Sequence, residues 1–418
     1  MIEPDLGLAE RLFAELAAKT RHGAGIVRDS YGEGEQLAHE LMRATGRSLG
    51  LEVNVDAAGN SYMTLPGRDR ALPALLMGSH LDSVPQGGNY DGAAGVIAGL
   101  ALLAGCRQAK FRPAFDVTVM GIRAEEAAWF DASYVGAYAA FGRLAPEVLN
   151  VRRSDSGRTL AEHMAETDCD VAAVRDGSAY LKPERLRRYL ELHIEQGPVL
   201  VGRGVPVGIV TGIRGCRRYR HARCIGAYGH SGAMPRRFRQ DAVAATVALI
   251  HQLNRDWVSW EAEGHDLTFT SGELYTDPAM HGPSKIAGET RFVLDFRSIS
   301  DETMQLACAR AQALGRDIAD ELHVEFDLGA QLVSAPASLD VTGRDRLSAL
   351  AGAAGIASIE LASGAGHDAA VFANFGVPAN MIFIRNEHGS HNPDEAMAMA
   401  DFADAVRLLG AFVSAEAT

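Results

Sequence analysis

Apolar residues recur at helical spacing over residues 4–19, where Leu8, Leu12, Phe13 and Leu16 fall on one face, and a second helix is expected around residues 35–43, after a polar turn. Residues 51–65 alternate about the turn Asp56-Ala57-Ala58-Gly59-Asn60 and read as a hairpin whose side chains need only be structural. The short apolar run 75–77 has the character of a buried strand. It is followed, through a Gly-rich turn, by the apolar helix 93–103, which makes a βα unit. Residues 115–122 and 187–196 are further strands, while 127–183 is helical and polar in patches, without a chemical motif. From Arg217 the pattern changes to strand (219–227), helix (241–253), strand (267–274), strand (290–297), helix (301–322) and strand (323–328), the β-α-β-β-α-β order of a ferredoxin-like unit. After Gln331 an α/β pattern returns, with helix 343–354, strand 379–384 and a closing helix 394–413. The expectation is an α/β chain: a mixed-sheet domain built from residues 1–212 and 330–418, interrupted by an inserted ferredoxin-like domain over 213–329.

Composition narrows the partners. With 418 residues, 47% hydrophobic and 22% charged, the chain has material for two full cores. Its formal charge of −13 argues against nucleic acid and against an anionic membrane surface, so an anionic ligand requires a local arginine. The cysteines Cys106, Cys169, Cys216, Cys224 and Cys308 are scattered and odd in number, which supports neither a disulfide framework nor a cysteine zinc site. The opening Met-Ile-Glu-Pro-Asp has no basic, apolar leader pattern and no stretch reaches the ~18 apolar residues of a membrane span, so a cytoplasmic location is expected.

The candidate chemistry lies at strand ends. His80 and Asp82 stand two residues apart, which strand alternation puts on one face, and Asp91 sits in the loop leading into the apolar helix, where open α/β sheets bind ligands. Histidine nitrogens and carboxylates held there are ligands for first-row metals. Glu125 and Glu126 end the next strand. Glu191, His193 and Glu195 share one face of a strand otherwise buried and need partners, since burial without them costs about 1–3 kcal/mol each. His22, His39 and His163 belong to no constellation and are expected at the surface; His388 has no assignment.

Read as an ordered set, eight pieces carry a resemblance. They are Gly78-Ser79-His80-Leu81-Asp82-Ser83, Asp91-Gly92, Glu125-Glu126, Glu191-Leu192-His193-Ile194-Glu195-Gln196-Gly197-Pro198, Gly229-His230-Ser231-Gly232-Ala233-Met234-Pro235 with Arg239 and Asp241, Asp295-Phe296-Arg297, Gly364-Ala365-Gly366-His367-Asp368-Ala369 and Gly389-Ser390-His391-Asn392-Pro393. Spanning roughly residues 75–395, they resemble the hydantoinase/carbamoylase family of amidohydrolases, within the dinuclear-zinc aminoacylases and carboxypeptidases. The resemblance implies a two-metal centre in which Asp91 bridges, His80 and His193 hold one ion, and Glu126 and His391 hold the other. The ions would be zinc, with manganese, cobalt or nickel as alternatives. Asp82 would orient His80 and Glu125 would be the general base. His230 would stabilise the developing oxyanion, Arg297 would take the substrate carboxylate, and Gln196 and His367 match the family's pocket. The inserted domain would serve as lid and homodimer interface.

The implied reaction is hydrolysis of a ureido or amide C–N bond in a small anionic substrate, foremost an N-carbamoyl-L-amino acid. Allantoate, or a ureidoglycolate-type substrate, is the near alternative, then an aminoacylase or dipeptidase substrate, which His193 disfavours, and last a binding protein without catalysis. The chain departs from the family around the base, in Ala124-Glu125-Glu126-Ala127-Ala128-Trp129-Phe130, and in the lid, where Ser284-Lys285-Ile286-Ala287 replaces a pattern with Asn ahead of an Ile/Val-Pro pair. The loop before His391 is about one residue shorter than is usual in the family.

Overall fold

The computed structural model describes residues 2–417 and divides into two compact units, one of residues up to Thr211 and from Ser338 on, the other Gly212–Ala337. At the centre of the first unit four strands run parallel in the order Ala379–Ile384, Leu186–Ile194, Ala74–His80 and Val117–Ile122. Antiparallel strands flank them, Val207–Ile213 on one side and Ser61–Leu65 with Glu52–Val55 on the other, so the sheet is mixed. Every residue of Val117–Ile122 and of Ala379–Ile384 is buried, the continuous apolar run of strands covered on both faces.

The helix Ala93–Gln108 carries Val96, Ile97, Leu100, Leu102 and Leu103 around its circumference and is buried along nearly its whole length, as a helix apolar all round must be. It lies so close to the sheet that a Cβ on Gly95 would stand 2.3 Å from the Leu192 carbonyl oxygen. That approach fixes the start of the helix, and with it the Asp91 loop, over the end of the His193 strand.

The inserted unit is ferredoxin-like, its antiparallel sheet ordered Thr268–Thr270, Glu289–Ser298, Gly215–Ile225, Glu325–Asp327. The helices Ala242–Ala262 and Asp301–Leu322 start on the side chains of Asp241 and Ser300, which accept from the amides of Ala244 and Thr303, and bury Leu249, Leu253, Ala307 and Ala311 with Phe269, Phe292 and Phe296. The insertion ends eight residues later than the expected 329, since Gln331–Ser334 continues the sheet antiparallel to Gly215–Ile225.

Two further expectations are corrected, and the need of Glu195 for a partner is met. His39 is fully buried, because the inward face of helix Glu33–Ser48 brings it to Ser61, whose Oγ lies 2.8 Å from Nδ1; His163 is buried too. The closing helix begins at Met399, which leaves residues 394–398 as loop. Glu195 caps the short helix Val199–Arg203, accepting from the amides of Val199 at 2.7 Å and Leu200 at 2.8 Å, so that carboxylate is spoken for. Among the described residues no helix is long and apolar enough to cross a membrane.

Gly95→Ala is expected to destabilise the protein by about 1–3 kcal/mol, since the helix must back away from the strand to admit the methyl group. Urea unfolding of the two proteins checks this.

Candidate metal centre

All four central strands deliver a candidate ligand from their C-terminal ends: His391 lies beyond Ile384, His193 is the penultimate residue of its strand, His80 ends its own with Asp91 in the loop that follows, and Glu126 follows Ile122. The expected ligands converge in two groups, His80 with Asp91 and His193, and Asp91 with Glu126 and His391, each with its ligand atoms within 4.8 Å of one another. Asp91 belongs to both. Its Oδ1 lies 3.5 Å from His80 Nε2 and 3.2 Å from His193 Nε2, while its Oδ2 lies 3.4 Å from His391 Nε2. Glu126 Oε1 completes the second group at 3.2 Å from His391 Nε2.

The geometry fits cations. His193 Nδ1 is 2.8 Å from the Ile194 carbonyl oxygen and His80 Nδ1 is 3.1 Å from that of Asp82, so each ring donates backward and turns an Nε2 lone pair toward Asp91. The two Nε2 atoms are 3.4 Å apart, and the buried Asp91 Oδ1 facing both has no hydrogen-bond partner. Donors about 2.0–2.1 Å from a tetrahedral zinc stand roughly 3.3 Å from each other, close to the spacings found in both groups.

Backbone strain and long-range clamps build this arrangement. Ala124, Gln196 and His391, with φ of 49°, 61° and 61°, occupy the left-handed region that side chains disfavour. Gly92 has φ 67°, and a Cβ there would meet the His80 ring at 2.4 Å. Asp82 does more than face His80 Nδ1: its Oδ1 accepts the Glu125 amide at 3.0 Å and its Oδ2 the Glu126 amide at 3.1 Å, which ties the two acids to the His80 strand. Glu35, fully buried, accepts the amides of Ala124 at 2.8 Å and Tyr31 at 2.7 Å and pairs with Arg123 Nη1 at 2.8 Å. The turn at residues 56–60 is part of the clamp, because Asn60 Oδ1 accepts the Arg123 amide at 2.9 Å while Asp56 holds Asn60.

Sequence reasoning gave no role to Glu395, Ser390 or Arg28. Glu395 accepts the amides of Tyr90 at 2.8 Å and Asp91 at 3.2 Å, a role hidden when its segment was expected to be helix, although a carboxylate four residues past a candidate ligand was a signal. Ser390 Oγ contacts Asp91 Oδ2 at 2.6 Å and Glu395 Oε2 at 2.8 Å. Arg28, wholly buried, donates to the carbonyls of Leu81 at 2.7 Å and Asp91 at 2.9 Å. Glu191 finds the partners that its burial calls for in Ser79 Oγ at 2.8 Å and the Ala369 amide at 2.7 Å, both of which donate to it.

Burial pushes the Glu125 carboxyl well above the usual range, against the pull of His80. Burial would raise Asp91 too, but the imidazoles of His193, His391 and His80 around it outweigh burial and hold Asp91 well below that range. His391, beside Asp91 and Glu126, is pushed up to about 10. His367 is buried behind the centre, edge-on to the His193 ring at 4.5 Å, with Nε2 2.9 Å from Ser363 Oγ. Gln196 Nε2 donates to Asp91 Oδ2 at 2.9 Å.

The other two predicted residues belong to the inserted unit. His230 Nδ1 accepts the amides of Gly232 and Ala233, both at 3.1 Å, which leaves the proton on Nε2 as a donor. Its strand, Gly229–His230, pairs with Lys285–Ile286, so the sequence departure at 284–287 lies next to it. Arg297 pairs with Asp295 Oδ2 at 3.2 Å, which Arg218 shares at 2.5 Å.

A family model for peptidase family M20/M25/M40 matches residues 76–415. An N-carbamoyl-L-amino acid amidohydrolase of Geobacillus stearothermophilus is 33% identical over 387 residues, 92% of each chain. An allantoate amidohydrolase of Escherichia coli K12 is 30% identical over 379 residues, covering 90% of this chain and 88% of the relative. A hydantoinase/carbamoylase family amidase from Burkholderia multivorans, solved as a crystal structure, superposes with a TM-score of 0.90 at 25% identity, covering 100% of this chain and 98% of that one.

Glu35→Ala is expected to cost about 3–5 kcal/mol in stability, because it strands the Arg123 guanidinium and frees the strained Ala124 amide. Chemical denaturation of the wild type and variant measures it.

Proposed function

The chain belongs to peptidase family M20/M25/M40, and from that premise we propose that it is a metal-dependent amidohydrolase cleaving the ureido C–N bond of an N-carbamoyl-L-amino acid, to give the amino acid, carbon dioxide and ammonia. The observation that carries the reading is Asp91, one oxygen turned to the His80 and His193 nitrogens and the other to His391. On this reading His80, Asp91 and His193 hold one divalent ion and Asp91, Glu126 and His391 a second, zinc or else manganese, cobalt or nickel. When bound, the ions supply Lewis-acid activation of a water and of the scissile carbonyl.

The protein's own groups do the rest. Glu125, grouped with His80 and Glu126 and raised in pKa by burial, takes the proton of the attacking water and returns it to the leaving nitrogen. His230 Nε2–H donates to the carbonyl oxygen as negative charge builds on it. Arg297, steadied by Asp295, pairs with the substrate carboxylate and supplies the local positive charge that a chain of −13 needs for an anion. His367, whose motif implies a substrate contact, also stands edge-on to the His193 ring and supports it from behind. A relative named an allantoate amidohydrolase gives the second reading, in which the same groups cleave allantoate. A homodimer through the inserted unit and a cytoplasmic setting complete the proposal; all five cysteines are free, which suits a reducing compartment.

Chelator-treated protein is expected to regain about two equivalents of metal together with activity. His193→Ala or His391→Ala would each lose metal, read by elemental analysis. Protons held by His391 in the metal-free protein must leave on loading, so apparent metal affinity rises with pH, an effect that calorimetry in buffers of different ionisation enthalpy detects.

Glu125→Gln separates ligation from proton transfer. It should retain both metals while kcat falls by ~10²–10⁴. Metal loss instead would exchange the assignments of Glu125 and Glu126.

A further inference from the structure

Beside the candidate metal centre, within the same unit, a cavity of about 450 Å3 opens between the turn that carries Gln196 and Pro198, the side chain of Val201, and the loop with His388 and Gly389. This volume is in the range of small-molecule sites. Gln196 joins the two spaces, since its Nε2 donates to Asp91 Oδ2 at 2.9 Å while the same residue lines the cavity. The walls are pinned to each other: Asn386 Oδ1 accepts the Gln196 amide at 2.9 Å, and Asn386 Nδ2 donates to the Gly389 carbonyl at 2.6 Å. His388 adopts φ 65°, a conformation that costs a non-glycine residue free energy and is held where it helps form the rim.

The lining is apolar where the centre is polar. Val201 is 44% exposed and presents its methyl groups to the cavity beside the Pro198 ring, and Glu387 is the only carboxylate among the lining residues. Gln196 Oε1 is buried without a hydrogen-bond partner, an acceptor placed for an N–H of a ureido group held at the centre; past it the wall offers carbon. In an N-carbamoyl amino acid the side chain begins two bonds from the scissile nitrogen, so it leaves the centre about where Gln196 meets the cavity.

We infer that this cavity receives the substrate's side chain and selects N-carbamoyl-L-amino acids with large apolar side chains. The inference rests on the reaction proposed above. Allantoate carries a second ureido group at that position, whose donors an apolar wall leaves unpaired, whereas a leucine side chain gains from leaving water. Val201 and His388 are then specificity-determining residues that touch no reacting atom.

The test is the steady-state kinetics of the metal-loaded protein with N-carbamoyl-L-leucine, N-carbamoylglycine and allantoate. The expected result is a kcat/KM for the leucine derivative about 10-fold or more above the other two, the scale on which a few buried methylenes discriminate. In Val201→Asp the leucine-to-glycine ratio should fall by about 10-fold or more, and Val201→Trp, which fills the cavity without adding charge, should shift it the same way. Equal use of the leucine and glycine derivatives, or a preference for allantoate, overturns the side-chain pocket and leaves the amidohydrolase reading standing. Hydrolysis of none of the three defeats the reaction reading. The pocket is then judged by calorimetric binding of L-leucine and glycine to the same protein, where tighter L-leucine supports it and equal binding overturns it.

Discussion

Five carboxylates, those of Asp82, Asp91, Glu125, Glu126 and Glu395, are gathered within a buried region at one sheet edge, and the rest of this unit is arranged to make that tolerable. Like charges taken out of water repel and lose hydration, which is why burial raises Glu125 and Glu395 while Asp91 stays ionised only by virtue of three histidines. One guanidinium, Arg28, is buried among them, and its burial lowers its pKa even against Glu395, Asp91, Asp82 and Glu126, which all raise it. Arg28 alone does not offset this cluster, so the metal-free centre relies on raised carboxyls and a protonated His391. Divalent cations would offset it, and they would also replace the protons that His391 otherwise holds.

Holding lone pairs together against their repulsion takes rigid backbone, and the rigidity comes from positions distant in sequence. The strained residues Ala124, Gln196 and His391 are each adjacent to a clamp: Glu35 on the Ala124 amide, Asn386 on the Gln196 amide, and Ser390 between Asp91 and Glu395. Each clamp satisfies a backbone or carboxylate group that would otherwise be orphaned in the interior. The strain therefore persists because the surrounding hydrogen bonds over-determine it.

This division explains what the sequence disclosed. The candidate ligands were legible piecewise: strand alternation marked His80 and His193, loop position marked Asp91, a strand end marked Glu126, and the ordered run of motifs alone added His391, while the β-α-β-β-α-β order of the insertion was visible in its periodicity. Glu35, Arg28 and the Asp56–Asn60 turn were not, since their partners stand as far as 89 residues away and nothing local marks a buried acid or arginine that bonds to backbone. His39 was misplaced for the same reason: its partner Ser61 is 22 residues on. Glu395 was hidden by an apolar-looking helix pattern that in fact starts only at Met399. The end of the insertion was missed because Gln331–Ser334 is short and exposed, and carries little alternation.

The inserted unit solves a different electrostatic problem. Its long strand Gly215–Ile225 is strongly basic in a chain of net charge −13, and three of its guanidiniums pair within the unit, Arg217 with Asp301, Arg218 with Asp295 and Arg223 with Asp327, while Arg297 of the neighbouring strand shares Asp295. Such pairs hold each guanidinium in a defined direction at little net stability, since exposed pairs contribute only about 0–1 kcal/mol. What they provide is orientation. Asp295, shared by two arginines, fixes the direction of both guanidiniums, the pre-ordering that the proposed carboxylate contact of Arg297 would draw on. His230 follows the same logic through its tautomer, because two backbone amides on Nδ1 fix the proton on Nε2 before any carbonyl oxygen arrives. One unit thus concentrates acceptors that call for cations, and the other fixes the direction of its donors through pairs of its own.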